Sequence, residues 1–120
     1  MNMTLQKENI LIVDDNYDML ELLYRNLKAM NYHTYKASSV TEALKVLQHS
    51  AINLLITDLQ MPGRSGIDLL KYVSENTPQM PRLVITGFPS VESAINATKL
   101  GAIEYLIKPF TGEEFRKAVQ

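Results

Sequence analysis

Residues 54–66 read Leu-Leu-Ile-Thr-Asp-Leu-Gln-Met-Pro-Gly-Arg-Ser-Gly. Four apolar or β-branched residues lead directly into Asp58, and Pro62 and Gly63 then interrupt regular structure. A short apolar run that ends at a turn signal is typical of a strand buried inside a parallel sheet. Open α/β sheets bind ligands at the carboxyl ends of their strands, so Asp58 is predicted to lie at the functional edge.

Three further segments are predicted to bring polar side chains to the same edge of the sheet. The first predicted strand leads into Asp14 and Asp15, and the fourth ends at the hydroxyl of Thr86. The fifth predicted strand ends beside the ammonium of Lys108. Because the carboxyl ends of parallel strands share one edge, we expect these groups to converge around Asp58.

Hydrophobic patterns divide the chain into five strands that alternate with five helices. The predicted strands cover residues 9–13, 33–37, 54–58, 82–86 and 104–107. The third helix is predicted over residues 66–74 and the fifth over residues 111–120. Helix caps are predicted at side chains whose oxygen can accept a free amide of the first turn, namely Asn16, Ser39, Ser90 and Thr111. Asn31 and Gly101 are predicted to end the first and fourth helices.

Two of these helix starts have the spacing of a capping box, in which two side chains bond reciprocally to backbone amides. Ser39 is followed three residues later by Glu42, and Thr111 by Glu114. Both pairs are therefore predicted to form the reciprocal bonds.

Alternating strands and helices predict an α/β fold with a parallel sheet covered by helices on both faces. Right-handed crossovers leave few ways to wind such a sheet. We expect a doubly wound, five-stranded, flavodoxin-like sheet of order 2-1-3-4-5. This order places the first and third strands side by side, so Asp14 and Asp15 would lie next to Asp58.

Composition limits the possible partners and surroundings of the chain. The 120 residues suit one domain, and a net charge of -1 provides no basic face for nucleic acid or an anionic membrane. Cysteine is absent, which excludes disulfides and thiolate metal sites and fits the cytoplasm. Residues 1–8 are polar and expected to form a frayed tail before a domain over residues 9–120. No apolar run suggests a signal peptide or a membrane span.

The predicted cluster has a definite chemical preference. At an effective dielectric constant near 20, two like unit charges about 4 Å apart repel by about 4 kcal/mol, so adjacent carboxylates favour a cation. An all-oxygen ligand set suits a hard divalent ion, Mg²⁺ above all. A cation with the Lys108 ammonium and the Thr86 hydroxyl would stabilise charge on a transferring phosphoryl group. Carboxylates do accept phosphoryl groups, so Asp58 is predicted to become an aspartyl phosphate.

Four motifs together resemble the response-regulator receiver domains of bacterial two-component signalling. They are Ile-Val-Asp-Asp-Asn at 12–16, Thr-Asp-Leu-Gln-Met-Pro-Gly at 57–63, Val-Ile-Thr-Gly at 84–87 and Tyr-Leu-Ile-Lys-Pro-Phe at 105–110. Each motif is weak alone, but all four occur in the order and at the spacings of that family. The Thr-Gly-Phe-Pro-Ser run at 86–90 is most similar to receivers attached to σ54-activating regulators.

The resemblance implies a phosphorylation-activated signalling switch. Asp58 would accept a phosphoryl group from a sensor histidine kinase or a phosphotransfer protein. Asp15, Asp58 and the backbone carbonyl of Gln60 would bind Mg²⁺, and Asp14 would assist through water. The domain would be regulatory rather than a metabolic enzyme, with self-phosphorylation and self-dephosphorylation that depend on Mg²⁺.

The resemblance also implies how the signal leaves the site. Thr86 and Lys108 would contact the phosphoryl oxygens, and Tyr105 would be the aromatic residue that swings inward on activation. The surface formed by the fourth helix, fifth strand and fifth helix would change and could support a phosphorylation-dependent homodimer. A C-terminal output domain, with transcription as its expected role, would follow in a longer regulator, and the Lys108–Pro109 bond is expected to be cis.

Other interpretations remain open at this point. Asp14 and Asp15 could be an acidic helix start that favours the helix dipole, and Tyr105 could be an ordinary strand aromatic. A phosphatase with an aspartate nucleophile would favour Asp-x-Asp after the first strand, where this chain has Asp-Asp-Asn. A flavin-binding domain would need a phosphate-binding loop there, and carboxylates would repel the phosphate. A pseudo-receiver that only binds protein is disfavoured because every chemical position is filled.

Overall fold

The computed structural model describes residues 8–120, and the predicted tail at residues 1–7 lies outside that range. Five parallel strands form one sheet of order β2-β1-β3-β4-β5, as predicted. The strands are β1 Asn9–Val13, β2 His33–Ala37, β3 Leu54–Asp58, β4 Arg82–Thr86 and β5 Ala102–Ile107. The helices are α1 Tyr17–Ala29, α2 Val40–His49, α3 Gly66–Asn76, α4 Val91–Lys99 and α5 Gly112–Val119.

The sheet is covered on both faces because successive strand residues point to opposite sides. Leu11 and Val13 of β1 pack into the core shared with α2, α3 and α4. Ile10 and Ile12 pack into the core shared with α1 and α5. Strands β3 and β4 are buried at every position, which explains the apolar runs at residues 54–56 and 83–85. Within residues 8–120, we find no helix that is long and apolar enough to cross a membrane.

The helix caps confirm most of the local predictions. Side-chain oxygens of the four predicted capping residues accept first-turn amides. Asn31 follows α1 with a positive φ of 69°, a conformation that asparagine tolerates well. The capping box of α5 is present with both reciprocal bonds between Thr111 and Glu114.

The capping box predicted at the start of α2 forms only one of its two expected hydrogen bonds. The Ser39 hydroxyl accepts the Glu42 amide at 3.1 Å, as expected. The Glu42 carboxylate, however, accepts from the backbone amide of Ser38 at 2.7 Å and from its hydroxyl at 2.8 Å. Because Ser38 offers two donors, the carboxylate binds one residue earlier than the motif predicts.

Two element boundaries differ from the prediction by two residues, and α5 is one residue shorter than predicted at each end. Helix α3 continues to Asn76 rather than residue 74, and β5 begins at Ala102 rather than residue 104. The pairing of β5 with β4 shifts register between Arg82 and Leu83, which pair with Ala102 and Glu104. Ile103 is therefore an extra residue in β5, and this irregularity interrupts the regular pairing at the start of the strand.

Candidate functional site

The carboxyl ends of β1 and β3 bring three carboxylates together, as predicted. One oxygen from each of Asp14, Asp15 and Asp58 lies within 4.8 Å of the others, close enough to bind one metal ion. Asp14 is fully buried and Asp58 nearly so, whereas Asp15 is exposed. The pairing of β1 with β3 causes this convergence, since Val13 is aligned with Thr57 and each carboxylate follows directly.

Lys108 connects the two buried carboxylates. Its ammonium donates to Oδ2 of Asp14 at 2.7 Å and to Oδ2 of Asp58 at 3.0 Å. The lysine side chain is 18% exposed, so these ion pairs are largely removed from water. Lys108 reaches the site because β5 lies beside β4, and its backbone amide also donates to the Thr86 carbonyl at 2.7 Å.

The surroundings of Asp14 and Lys108 shift the pKa values of both groups. Burial raises the pKa of the Asp14 carboxyl, although hydrogen bonds from Lys108 and from the Asn16 amide oppose that shift. Burial alone would lower the pKa of the Lys108 ammonium. Its hydrogen bonds and charge interactions with Asp14 and Asp58 outweigh burial, so the pKa of Lys108 is raised and the ammonium stays charged.

Backbone amides orient the remaining carboxylate oxygens. Oδ1 of Asp14 accepts from the Asn16 amide at 2.9 Å, and Oδ1 of Asp58 accepts from the Gln60 amide at 3.1 Å. Each buried carboxylate is thus held from two sides, by a backbone amide and by Lys108. The side chains are therefore held in place before any ligand arrives, which reduces the reorganisation that binding requires.

Thr86 ends β4 and Tyr105 lies within β5, as the sequence predicts, but each has a hydrogen-bond partner that the sequence did not reveal. The buried Thr86 hydroxyl accepts the Phe88 amide at 3.1 Å. The half-buried Tyr105 hydroxyl lies 2.6 Å from the hydroxyl oxygen of Ser93 on α4. Tyr105 is therefore linked directly to the helix that follows Thr86.

Two further residues support Asp58 and were not identified from the sequence. The buried Thr57 hydroxyl donates to the Asp58 carbonyl at 2.8 Å. A Cβ atom placed on Gly66 would lie only 2.0 Å from that same carbonyl oxygen. Gly66 therefore allows the start of α3 to pack directly against the backbone of Asp58. A glycine at the start of a predicted helix was the available signal, because glycine is favoured where two backbone segments approach closely.

The donor set fits a hard divalent cation. All candidate side-chain ligands are carboxylate oxygens, and one of them, Asp15, faces solvent and leaves an entry path. The Lys108 ammonium already offsets part of the charge of Asp14 and Asp58. The cluster could therefore hold one metal ion and still leave ligand positions open.

Comparisons with known proteins identify the class to which this fold and site belong. The sequence model described as "Response regulator receiver domain" matches residues 10–120. The response regulator protein PilR of Pseudomonas aeruginosa is 37% identical over 115 residues, which cover 96% of this chain and 26% of PilR. The chain thus spans about a quarter of the length of that curated relative. The chain belongs to the response regulator receiver family.

Solved structures agree with this membership. A CheY-like receiver domain protein from Methanospirillum hungatei has a TM-score of 0.92 at 26% identity, covering 95% of this chain and 91% of that one. The beryllofluoride-activated NtrC4 receiver domain dimer has a TM-score of 0.87 at 33% identity, covering 92% of each chain. The protein is therefore a regulatory domain of phosphorylation-activated two-component signalling.

Proposed function

We propose that this domain accepts a phosphoryl group on Asp58 in a reaction that depends on Mg²⁺. The observation that supports it most strongly is the Lys108 ammonium, which bridges Asp14 and Asp58 beside the exposed Asp15. A structural ion pair would need one carboxylate, whereas this site gathers three at one edge. The excess negative charge is explained if a cation and a phosphoryl group bind there.

The proposed reaction is an in-line transfer to a carboxylate oxygen. An oxygen of Asp58 forms a bond to phosphorus while the bond from phosphorus to the donor breaks, and the donor atom keeps the electron pair. The donor would be the phosphohistidine of a sensor kinase or phosphotransfer protein, or a small acyl phosphate. Lys108 and the Thr86 hydroxyl would bind the phosphoryl oxygens, since both lie at this edge of the sheet.

Asp14, Asp15 and Asp58 would hold the Mg²⁺ ion, together with the backbone carbonyl of Gln60. When bound, Mg²⁺ supplies positive charge that neutralises the carboxylates and the transferring group. Asp15 is the exposed member, so we assign it as a direct ligand, and Asp14 would act through water because it is fully buried. Self-phosphorylation from small donors and self-dephosphorylation would occur at this same site.

A direct test uses acetyl phosphate as the donor. The protein should gain the mass of one phosphoryl group in the presence of Mg²⁺, as measured by mass spectrometry of the intact chain. The gain should disappear when EDTA removes the metal. Labelling that is equally fast with EDTA would contradict the proposed role of Mg²⁺, and labelling of several residues would contradict a single acceptor.

The metal ligands can be tested separately from the acceptor. We expect Asp15→Ala to weaken Mg²⁺ binding by roughly 10- to 100-fold or more, because even indirect supports of metal ligands have effects of that size. The substitution also removes one like charge, so the metal-free protein should melt at the same or a higher temperature. Calorimetric Mg²⁺ titration and thermal melting measure the two effects.

Asp18→Ala provides a matched control for this prediction, because Asp18 is also exposed and lies on the first turn of α1. It should leave Mg²⁺ affinity unchanged. Clear destabilisation of the metal-free Asp15→Ala protein would mean that Asp15 has a structural role instead.

The output surface is proposed to comprise α4, β5 and α5. Four large apolar side chains on α4 and β5 are half to mostly exposed in the described structure, namely Val91, Ile95, Ile103 and Ile107. Apolar patches of this kind commonly mark protein interfaces. We infer that phosphorylation favours a homodimer through this surface, an inference supported by the dimer of the similar NtrC4 receiver.

Tyr105 is proposed to transmit the signal to that surface. When Thr86 moves towards the phosphoryl group, the space it leaves would be filled by the Tyr105 ring. The hydroxyl would then lose its contact with Ser93, which it makes at 2.6 Å in this structure. Two discrete positions of one side chain provide the two-state element that allostery requires.

We expect Tyr105→Ala to abolish phosphorylation-driven association while Mg²⁺ affinity and labelling of Asp58 stay within about twofold of wild type. The ring is removed from the switch, but no ligand of the site is altered. Analytical ultracentrifugation with and without acetyl phosphate measures association. Tyr105→Phe is the matched control and should keep the response, because it retains the ring. Unchanged dimerisation of phosphorylated Tyr105→Ala would exclude this route.

The domain is proposed to be the N-terminal part of a longer cytoplasmic regulator. The curated relative PilR extends well beyond the matched region, because this chain covers 26% of it. We expect residues 9–120 to be followed by an output domain of the σ54-activating type, which controls transcription. Nothing in the net charge of -1 favours direct contact of this domain with nucleic acid or a membrane.

A further inference from the structure

Arg82 is a buried cation at the end of β4 opposite the phosphorylation site. Arg82 is only 5% exposed, and this burial lowers the pKa of its guanidinium. No carboxylate of residues 8–120 forms an ion pair with it. A buried charge without a counter-ion is costly unless hydrogen bonds stabilise it, so the partners of Arg82 need an explanation.

The partners are three backbone carbonyl groups from two different parts of the chain. Nε donates to Met80 at 3.0 Å and Nη2 to Pro78 at 2.5 Å, both in the loop before β4. Nη1 donates to Leu100 at 2.7 Å, and Leu100 is the residue that closes α4. The carbonyls at a helix C-terminus carry partial negative charge, so this end of α4 attracts the guanidinium. Arg82 thus ties the last turn of α4 to the start of β4.

The neighbouring glycine provides independent support for this contact. Gly101 has a φ of +89°, and a Cβ atom added there would lie 1.8 Å from Nη1 of Arg82. The position therefore needs glycine for two reasons, the backbone conformation and the space that the guanidinium occupies. The turn from α4 to β5 is shaped to receive this side chain.

The rest of α4 is held much less firmly. Ala97 is the one α4 residue that is buried, while Val91 is 78% exposed and Ile95 is 49% exposed. Near the N-terminus of α4, Ser93 forms a side-chain hydrogen bond to Tyr105 of the sheet. One end of α4 is therefore fixed by a buried cation, and the other end depends on the residue proposed to switch.

We propose that Arg82 is a positioning residue that fixes the C-terminal end of α4 as a pivot, so that phosphorylation of Asp58 displaces the N-terminal half of the helix. This inference rests on the proposed function, in which α4 belongs to the surface that phosphorylation changes. Hinged elements move about a few residues at one end, and the carbonyl contacts of Arg82 define such a point for α4. The motion would begin beside Thr86 and Tyr105 and diminish towards Leu100.

Amide hydrogen exchange tests the contact in the unphosphorylated protein, because it reports local opening residue by residue. Arg82→Met keeps a long side chain but removes every donor. We expect exchange of the amides at residues 98–101 to accelerate by roughly tenfold or more, whereas the rate in the core of β3 stays unchanged. Arg82→Lys retains the charge with a different donor geometry and should give a smaller acceleration. Arg25→Met, at an exposed arginine of α1, should have no effect on α4.

Gly101→Ala provides a second approach that leaves Arg82 unaltered. Its methyl group would occupy the place of Nη1, so it should accelerate exchange at the same amides. If Arg82→Met does not fold, Arg82→Lys and Gly101→Ala still allow the comparison. Exchange at residues 98–101 that matches wild type in the folded variants would overturn the assignment of Arg82.

Phosphorylation by acetyl phosphate with Mg²⁺ then tests the pivot itself. In wild-type protein, we expect exchange to change several-fold at residues 90–95 and by less than twofold at residues 98–101. In Arg82→Met, the change should extend over the whole helix, while the extent of Asp58 labelling stays as in wild type. A wild-type change of equal size along α4 would overturn the pivot, although the proposed switch would survive. No change anywhere in α4 of labelled wild-type protein would overturn the proposed output surface, and the pivot with it.

Discussion

Asp58→Asn should abolish phosphate uptake from acetyl phosphate while the fold and its melting temperature are largely preserved. The change is nearly isosteric, so the amide oxygen can still accept from the Gln60 amide, as Oδ1 of Asp58 does at 3.1 Å. An amide oxygen is a far weaker nucleophile than a carboxylate, so the labelled fraction should fall to background. Intact-protein mass spectrometry measures the labelled fraction, and circular dichroism measures the fold.

Asp18→Asn is a matched control for this experiment, since it removes an exposed carboxylate from the first turn of α1. It should be labelled as fully as wild type. Stoichiometric labelling of the Asp58→Asn protein on another residue would refute the assignment of Asp58 as the acceptor.

Gly66→Ala should lower the free energy of unfolding by about 3 kcal/mol, the upper part of the range for overpacked sites. The added methyl group would lie 2.0 Å from the Asp58 carbonyl oxygen and 2.9 Å from the Leu59 Cα atom. Both obstacles are backbone atoms, so relief requires α3 to move away from β3. Urea denaturation measures the stability, and the rate of labelling should fall as well because the displaced backbone carries the acceptor.

Gly87→Ala is the corresponding control. A Cβ atom there would meet only the Lys108 side chain, at 3.8 Å, an ordinary contact distance. Its stability should stay within about 0.5 kcal/mol of wild type, the usual range for a substitution without a specific clash. Equal losses from the two glycines would mean that the close approach of α3 to Asp58 has no energetic significance.

The geometry of a parallel sheet made much of the site predictable. Strands of this kind are short apolar runs, and the polar residue that ends each run must lie at the carboxyl edge. This reasoning predicts that Asp14, Asp58 and Lys108 lie together at one edge of the sheet. It does not reveal that Asp14 is fully buried whereas Asp15 is exposed, because that difference depends on how the chain turns after β1.

Contacts between distant backbone segments were not predictable. An arginine at the start of a strand resembles an ordinary surface residue, and nothing local shows that Arg82 reaches a carbonyl 18 positions away. The need for glycine at position 66 likewise depends on the distance between α3 and β3. Even a local contact was mispredicted at Glu42. The capping-box spacing predicts that its carboxylate accepts from the Ser39 amide, but the adjacent Ser38 amide donates instead.

The location of Asp58 at one end of the sheet sets a limit on how far its charge can act. Electrostatic effects in solution decay over about 8 Å at physiological ionic strength. The four residue steps of β4 between Thr86 and Arg82 span about 13 Å at the usual rise of a strand. A partner that binds near Arg82 lies more than one such decay length away and would therefore sense the added negative charge only weakly. Phosphorylation should therefore affect that end of the molecule mainly through packed atoms, and such an effect should depend little on salt concentration.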